Sequence, residues 1–390
     1  MKKIYWVSLM VILLCAFLFA GPNPTTPSST PVRPIKIGIL IPYSGSASKE
    51  SSFLRRGIDY ALDEVGRKIN DIPITIQTED ETDNPAQCIA KVKKLVDQDQ
   101  VDVILGPLSG QNVPATDAYL GPLGVPMVDY GEMLAPPEKK LAFYPAGTVT
   151  AAAMVSGTFA YEELGARKAA LIYQGFNYGQ EIKEAFKAAF TAKGGTIVSD
   201  QSVQFGTMDM APFLMNIGNV DVICVLLVAP SDTSFIRQYR EFNIKKPVIF
   251  GEHWPQGEAD FLNKQAGDAI LGMYGQASWS PLIDTPTNKK LVQTLQAANN
   301  GILPGINTVR CGYMTTSMLL QALQTIKGDI NRNSIMAALT GMKSYKSPIG
   351  DIPMKDRKGS PDIYISQAVR VDANNITWKP VKKYINPLSK

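Results

Sequence analysis

His253 is the only histidine in the chain, and it stands between Glu252 and Trp254 in "GEHWPQGEAD", residues 251–260. A histidine beside a carboxylate can serve as a general base, as a metal ligand, or as a hydrogen-bond partner for a bound small molecule. General-base catalysis on serine needs a nucleophile on a sharp elbow and an acid that orients the imidazole. No G-x-S-x-G occurs in the chain, and "YSGSAS" at 43–48 is merely serine-rich. A metal site would have to be completed by carboxylates and cysteines. Cys88, Cys224 and Cys311 match no zinc spacing. The surviving readings are a structural loop histidine and a histidine that touches a ligand. A second cluster, Asp80, Glu81 and Asp83 in "TEDETDN", lacks the regular alternation of a calcium loop and reads as a solvated turn. The sequence calls for no metal and no cofactor.

The elements around these residues decide where they sit. "IKIGILIP" from Ile35 and "VDVILGP" from Val101 are continuous apolar runs, as strands covered on both faces require. Between them, Leu54, Ile58, Ala61, Leu62, Val65 and Ile69 recur at helical spacing. "IPITIQTED" reads as a strand, 85–98 as a helix, and "VPMVDY" as a further strand after a short helix near 110–120. The pattern then restarts with "RKAALIYQG", a helix ending in glycine, "GTIVSDQSV", "VDVICVLLVAP", a helix from "SDTSFIRQYREF" that Ser231 would cap, and "KKPVIFG". Strand and helix alternate in two successive halves, each with its own "VDVI" strand. This predicts an α/β chain of two doubly wound parallel-sheet domains of like topology. Helices follow near 286–299, 308–327 and 333–340, the last with Asn331 or Asn333 near its start, and "DIYISQAVRVD" is read as the closing strand. The expected domains are 35–147 plus 277–345 and 148–276 plus 346–390, joined by a hinge of several crossings. Trp279 would pack near one crossing. Ligands of such sheets sit outside the carboxyl ends of the strands. "PYSGSASKE", "GPLSGQN", "DYGEML", "YQGFNYGQ", "VAPSD" and "GEHWPQG" all fall there.

The ends and the charge limit the function classes. "MKK" followed by "IYWVSLMVILLCAFLFA" reads as an export signal over 1–20, and the Pro/Ser/Thr-rich 21–34 as a linker. Leu14 before Cys15 is not the small residue a lipoprotein signal favours. The formal charge of +4 falls to +2 once Lys2 and Lys3 leave with the signal, too little for a nucleic-acid partner. The three remaining cysteines cannot pair completely; Cys88 and Cys224 read as small core residues, and one disulfide stays open.

The opening "IKIGILIPYSGSAS", "IPITIQTEDETDNPAQCIAKVKKLV", "VDVILGPLSG", "ARKAALIYQGFNYGQEIKEAF" and "TVRCGYMTTSMLLQALQTI" occur in this order over about 35–385. Together they resemble the type I periplasmic solute-binding proteins of the branched-chain amino-acid (leucine/isoleucine/valine) family, which serve ABC importers. The resemblance implies a cleft between two domains hinged by three crossings, a small-molecule ligand, a membrane permease as partner, and no enzymatic step. It places the carboxylate-gripping loop on Ser109 and Gly110, where Gly110 replaces a serine. The backbone N–H of Gly110 and the Ser109 hydroxyl could still donate to an anion, although Ser109 could equally cap the following helix. It places the next loop on Gly131 and Met133, where a hydroxyl is again missing, and the tyrosine that opens the second-domain helix on Tyr178. The acidic partner of a ligand ammonium falls on Glu252 or His253. Tyr130, Glu132, Met133, Phe176, His253 and Trp254 crowd these loops and suit an aromatic carboxylate, an amide or a non-standard amino acid better than leucine. The expectation is an exported, monomeric binding protein, periplasmic or tethered to the outer face of the membrane. A ligand-sensing receptor component and, more remotely, a hydrolase are the alternatives.

Overall fold

The apolar runs become strands because each must cover two faces at once. In β1 (Ile35–Ile41), Ile35, Ile37, Ile39 and Ile41 pack into one core while Leu40 packs into another. Side chains alternate across a strand, so a sheet sandwiched between helices needs apolar residues at every position. The same logic builds β9 (Val222–Leu226): Ile223 and Val225 face one core, and Val222, Cys224 and Leu226 the other.

The structure is a computed structural model that describes residues 33–44, 48–82, 84–130, 142–146, 149–175, 177–228, 230–250, 265–277, 279–298, 306–373 and 375–389. The expected signal at 1–20 and nearly all of the linker at 21–34 lie outside the described residues. Among the described residues, no helix is long and apolar enough to cross a membrane.

The first sheet holds β1, β2 (Lys68–Ile69), β3 (Ile72–Asp80), β4 (Val103–Leu105), β5 (Met127–Val128) and β6 (Ala142–Phe143), in the order β2-β3-β1-β4-β5-β6. All its pairings are parallel except β2 with β3. The second sheet holds β7 (Lys168–Gln174), β8 (Thr196–Val203), β9, β10 (Val248–Phe250) and β11 (Tyr274–Ala277), which run in parallel in the order β8-β7-β9-β10-β11. Both sheets thus carry the same doubly wound order, with the switch point between β1 and β4 in one and between β7 and β9 in the other.

Helices cover both faces. In chain order they are α1 (Ser48–Glu64), α2 (Pro85–Lys93), α3 (Val113–Leu120), α4 (Val149–Glu162), α5 (Asn177–Ala192), α6 (Ala211–Met215), α7 (Ser231–Glu241), α8 (Pro286–Ala298), α9 (Ile306–Thr325) and α10 (Arg332–Gly341). Local chemistry sets several starts. Asn84 accepts from the N–H of Ala86 and Gln87 at 2.9 and 3.2 Å, with Pro85 at the first helical position of α2. Asn331, rather than Asn333, caps α10 in a reciprocal box with Ser334. Ser231 does not cap α7: Pro230 holds that position, and the serine begins the helix itself.

The chain leaves the first core between β6 and α4, returns to it between β11 and α8, and leaves it again between β14 and β15. The last passage differs from the expected 345/346. Three short strands, β12 (Ser344–Ser347), β13 (Gly350–Lys355) and β14 (Lys358–Gly359), form a small antiparallel sheet first. Tyr345, Ile352 and Met354 pack into the first core, and the Tyr345 hydroxyl donates to the Pro145 carbonyl at 3.0 Å. Only then do β15 (Ile363–Asp372) and β16 (Asn375–Tyr384) add an antiparallel hairpin to β11. The sequence reading missed β16, whose lysines and Pro380 disguise a strand. It is the edge strand, where proline is tolerated, and Trp378 anchors it in the second core. Trp279 is 4% exposed in the first core, and its indole N–H donates to Asn288 at 2.6 Å. Cys88, Cys224 and Cys311 are all buried and free, so the disulfide left open by the sequence does not form.

Candidate functional site

At the carboxyl end of the first sheet, two adjacent acids organise two loops. The Asp80 carboxylate accepts the N–H of Tyr43, Ser44 and Thr82 at 3.0, 3.3 and 3.2 Å. Burial pushes its pKa up, but these bonds and the Ser44 side chain outweigh that and hold the carboxyl below its usual range. Asp80 therefore ties the start of the loop after β1, at Tyr43 and Ser44, to the end of β3.

Glu81 does the same for the loop after β4. It is fully buried, and its N–H donates to Ile41 O at 3.0 Å. One carboxylate oxygen accepts Leu108 N–H at 2.7 Å; the other accepts Ser109 N–H at 2.7 Å and the Asn112 amide at 2.9 Å. This corrects the expectation of a solvated acidic turn. The reason is tertiary: the donors that bury Glu81 belong to a loop almost thirty residues downstream. It also changes the meaning of "GPLSG". Two backbone donors beside the switch point are already held by an internal carboxylate. Ser109 and Gly110 remain half-buried at the strand end.

Gly106 opens this loop with φ 111°, and a side chain there would meet Leu40 O at 2.2 Å and the Tyr130 ring at 3.0 Å. Tyr130 itself lies inside the core, 0% exposed, with its hydroxyl donating to Leu105 O at 3.0 Å. Its ring is not offered to a solute, contrary to the stacking role the sequence suggested. The cause is the pocket that Gly106 leaves beside it. Gly131 and Met133 lie outside the described residues.

At the carboxyl end of the second sheet, Gln174 is the clamp. Its amide donates to Val203 O at 2.9 Å and accepts Val228 N–H at 3.4 Å, tying together the ends of β7, β8 and β9. Tyr178 stands in the first turn of α5. The glycine after it is dictated by packing, because a Cβ at Gly179 would lie 2.1 Å from Gln174 O. Glu252, His253 and Trp254, which follow β10, lie outside the described residues.

The start of α7 adds two groups that the sequence reading passed over. Ser231 and Asp232 are fully buried at the end of β9, and neither Ser231 Oγ nor Asp232 Oδ2 has a hydrogen-bond partner. Asp232 Oδ1 accepts from Thr233 N–H at 2.5 Å and from its hydroxyl at 3.1 Å. Burial dominates and raises the Asp232 pKa to about 6. A buried guanidinium, Arg310, is the third omission; it is 1% exposed on α9. Its signal was available: Arg310, Met314 and Met318 form one i, i+4, i+8 stripe, and a charge on an apolar stripe is unusual. Among the described residues, no cluster of three or more metal-binding side chains occurs.

A profile described as "Periplasmic binding protein" matches residues 34–374. Leu/Ile/Val-binding protein homolog 6 of Brucella melitensis is 23% identical over 402 residues, covering 98% of this chain and 97% of its own. An ABC transporter substrate-binding protein from Sphaerobacter thermophilus superposes with a TM-score of 0.84 at 24% identity, covering 91% of this chain and 98% of that one. A solute-binding protein of an ABC transporter from R. palustris, solved with 4-hydroxybenzoate, gives a TM-score of 0.80 at 23% identity, covering 92% and 98%.

Proposed function

The chain belongs to the periplasmic binding protein family, and from that premise we propose that it captures a small organic solute outside the cytoplasm and delivers it to the permease of an ABC importer. The observation that carries the reading is the family match over 34–374, joined to two sheets whose five parallel strands follow the same order and whose switch points bear the loops described above. Such switch points are where doubly wound sheets bind ligands. Closure of two domains over a solute is the usual working motion of a hinged binding protein.

The solute classes are an amino acid, an amide or an aromatic carboxylate. The R. palustris protein held 4-hydroxybenzoate, and the Brucella relative carries a leucine/isoleucine/valine name. Gly110 and Met133 stand where hydroxyls would grip the α-carboxylate of leucine, which favours the aromatic acid. We place the solute between Ser109, Gly110, Gly131 and Met133 on one side and Tyr178, Glu252, His253 and Trp254 on the other. An imidazole at His253 would suit an acid, and a carboxylate at Glu252 an ammonium group. Residues 1–20 direct export, the mature chain acts as a monomer, and no turnover accompanies binding.

A thermal-shift panel of amino acids, aromatic acids and amides on the mature chain tests this. One class should raise the melting temperature in a saturable manner. Stabilisation by none of them, with a hydrolysis product from any, would refute the reading.

A further inference from the structure

The second sheet has its crevice between β7 and β9. Ile182, Phe186 and Phe190 of α5, which follows β7, pack into one core with Val222, Cys224 and Leu226. Phe235, Ile236 and Tyr239 of α7, which follows β9, pack into the other with Ile223 and Val225. The two helices therefore lie on opposite faces of the sheet, and both begin at its carboxyl end. A crevice between helices that depart to opposite faces is where a doubly wound sheet takes its ligand. The start of α7 is bonded to the floor of this crevice. Val228 O accepts the N–H of Ser231 and of Asp232 at 3.0 and 3.4 Å. Val228 N–H in turn donates to Gln174, the clamp across the ends of β7, β8 and β9.

The backbone donors in the first turn of α7 are answered inside the chain. Besides the two bonds to Val228 O, Asp232 Oδ1 accepts Thr233 N–H and Pro230 O accepts Ser234 N–H at 3.1 Å. What remains is two side-chain atoms on adjacent residues. Ser231 and Asp232 are 0% exposed, yet neither Ser231 Oγ nor Asp232 Oδ2 has a hydrogen-bond partner among the described residues. Leaving a buried hydroxyl and a buried carboxylate oxygen unanswered is costly. The chemistry of the pair defines what answers it. An ionised carboxylate oxygen only accepts, whereas a serine hydroxyl can donate. A group that gives one proton and accepts another satisfies both atoms. A hydroxyl does so; an ammonium has no lone pair to accept with, and a carboxylate has no proton to give.

We infer that Ser231 and Asp232 form a subsite for a hydroxyl group of the solute, which donates to Asp232 Oδ2 and accepts from Ser231 Oγ. The inference rests on the solute-binding reading and narrows it to solutes that carry a hydroxyl. Full burial suits such a subsite, because a hydrogen bond to a carboxylate is strongest where water does not compete for it. Entry requires movement about the crevice, which domain closure supplies.

The test is titration calorimetry of the mature chain at about pH 7.5, where a carboxyl that burial raises to about 6 is ionised. Two pairs of acids differ by a hydroxyl: 4-hydroxybenzoate and benzoate, 2-hydroxy-4-methylpentanoate and 4-methylpentanoate. Leucine, which carries an ammonium where the second pair differs, is the fifth probe. The wild-type protein should bind the hydroxylated member of at least one pair at least about tenfold more tightly than its partner. Asp232→Asn should cut that ratio below about threefold by weakening the hydroxylated acid, with the plain acid within about threefold of its wild-type affinity. Ser231→Ala should fall between them. Equal wild-type affinity within both pairs, as expected if water alone answers the two atoms, overturns the inference and needs no variant. So does a folded Asp232→Asn protein that keeps the wild-type ratio. An Asp232-dependent preference for leucine over 4-methylpentanoate, with none for a hydroxyl, also overturns it. Binding of none of the five probes overturns the solute-class reading together with the inference, whereas a hydroxyl preference indifferent to Asp232 overturns the inference alone.

Discussion

Glu81 and Ser109 are 28 residues apart, and the carboxylate of one accepts the backbone N–H of the other at 2.7 Å. With the bonds to Leu108 and Asn112, this makes Glu81 the internal anion of the loop after β4. The loop after β4 is therefore shaped by a carboxylate that belongs to the fold.

Glu81→Ala should destabilise the protein by about 2–4 kcal/mol, because three buried donors lose their acceptor. Glu81→Gln should lose less, since one amide oxygen still accepts. Urea unfolding midpoints at constant slope measure this. A change below about 0.5 kcal/mol for the alanine variant would return Glu81 to the solvated turn that its sequence context suggests.

Asp232 makes stability depend on pH in a defined direction. Its folded pKa, about 6, lies above the ordinary 3.8. The folded state therefore binds the proton more tightly than the unfolded state does. Ionised Asp232 costs nothing below about pH 4, and the cost grows as pH rises to 6 and then levels off. Asp232→Asn removes a penalty on the order of 2–3 kcal/mol. The variant should match the wild type near pH 4 and melt higher at pH 7. A melting difference that does not vary with pH would contradict this.

Tyr130→Phe deletes a buried hydroxyl that donates to Leu105 O. The expected cost is about 1–2 kcal/mol of stability, with solute affinity within about threefold of the wild type. A large affinity loss without loss of stability would move Tyr130 back into the solute pocket.

Much of this fold can be read directly from sequence because its signals are local. "VDVILGP" and "VDVICVLLV" are continuous apolar runs since both faces of each strand are covered, and that alone announces a doubly wound sheet. What escaped depends on partners distant in the chain. The burial of Glu81 is set by Leu108, Ser109 and Asn112; that of Tyr130 by the space beside Gly106; the edge strand β16 by pairing with β15. Ser231 looked like a cap, but the helix begins one residue earlier than a serine cap would require. Of the residues the sequence offered for a solute, Ser109 and Gly110 follow β4 and Tyr178 lies in the first turn of α5. The sequence reading overlooked Arg310 and Asp232, whose significance lies in burial, which spacing alone does not report.

The central claim is capture of a solute without chemistry. Native mass spectrometry of the mature chain incubated with 4-hydroxybenzoate, leucine and leucinamide in turn tests it most directly, with the released small molecule weighed after denaturation. The account predicts a one-to-one complex with at least one carboxylate, released with its mass unchanged. A released molecule of altered mass, or no complex with any of the three, would contradict it.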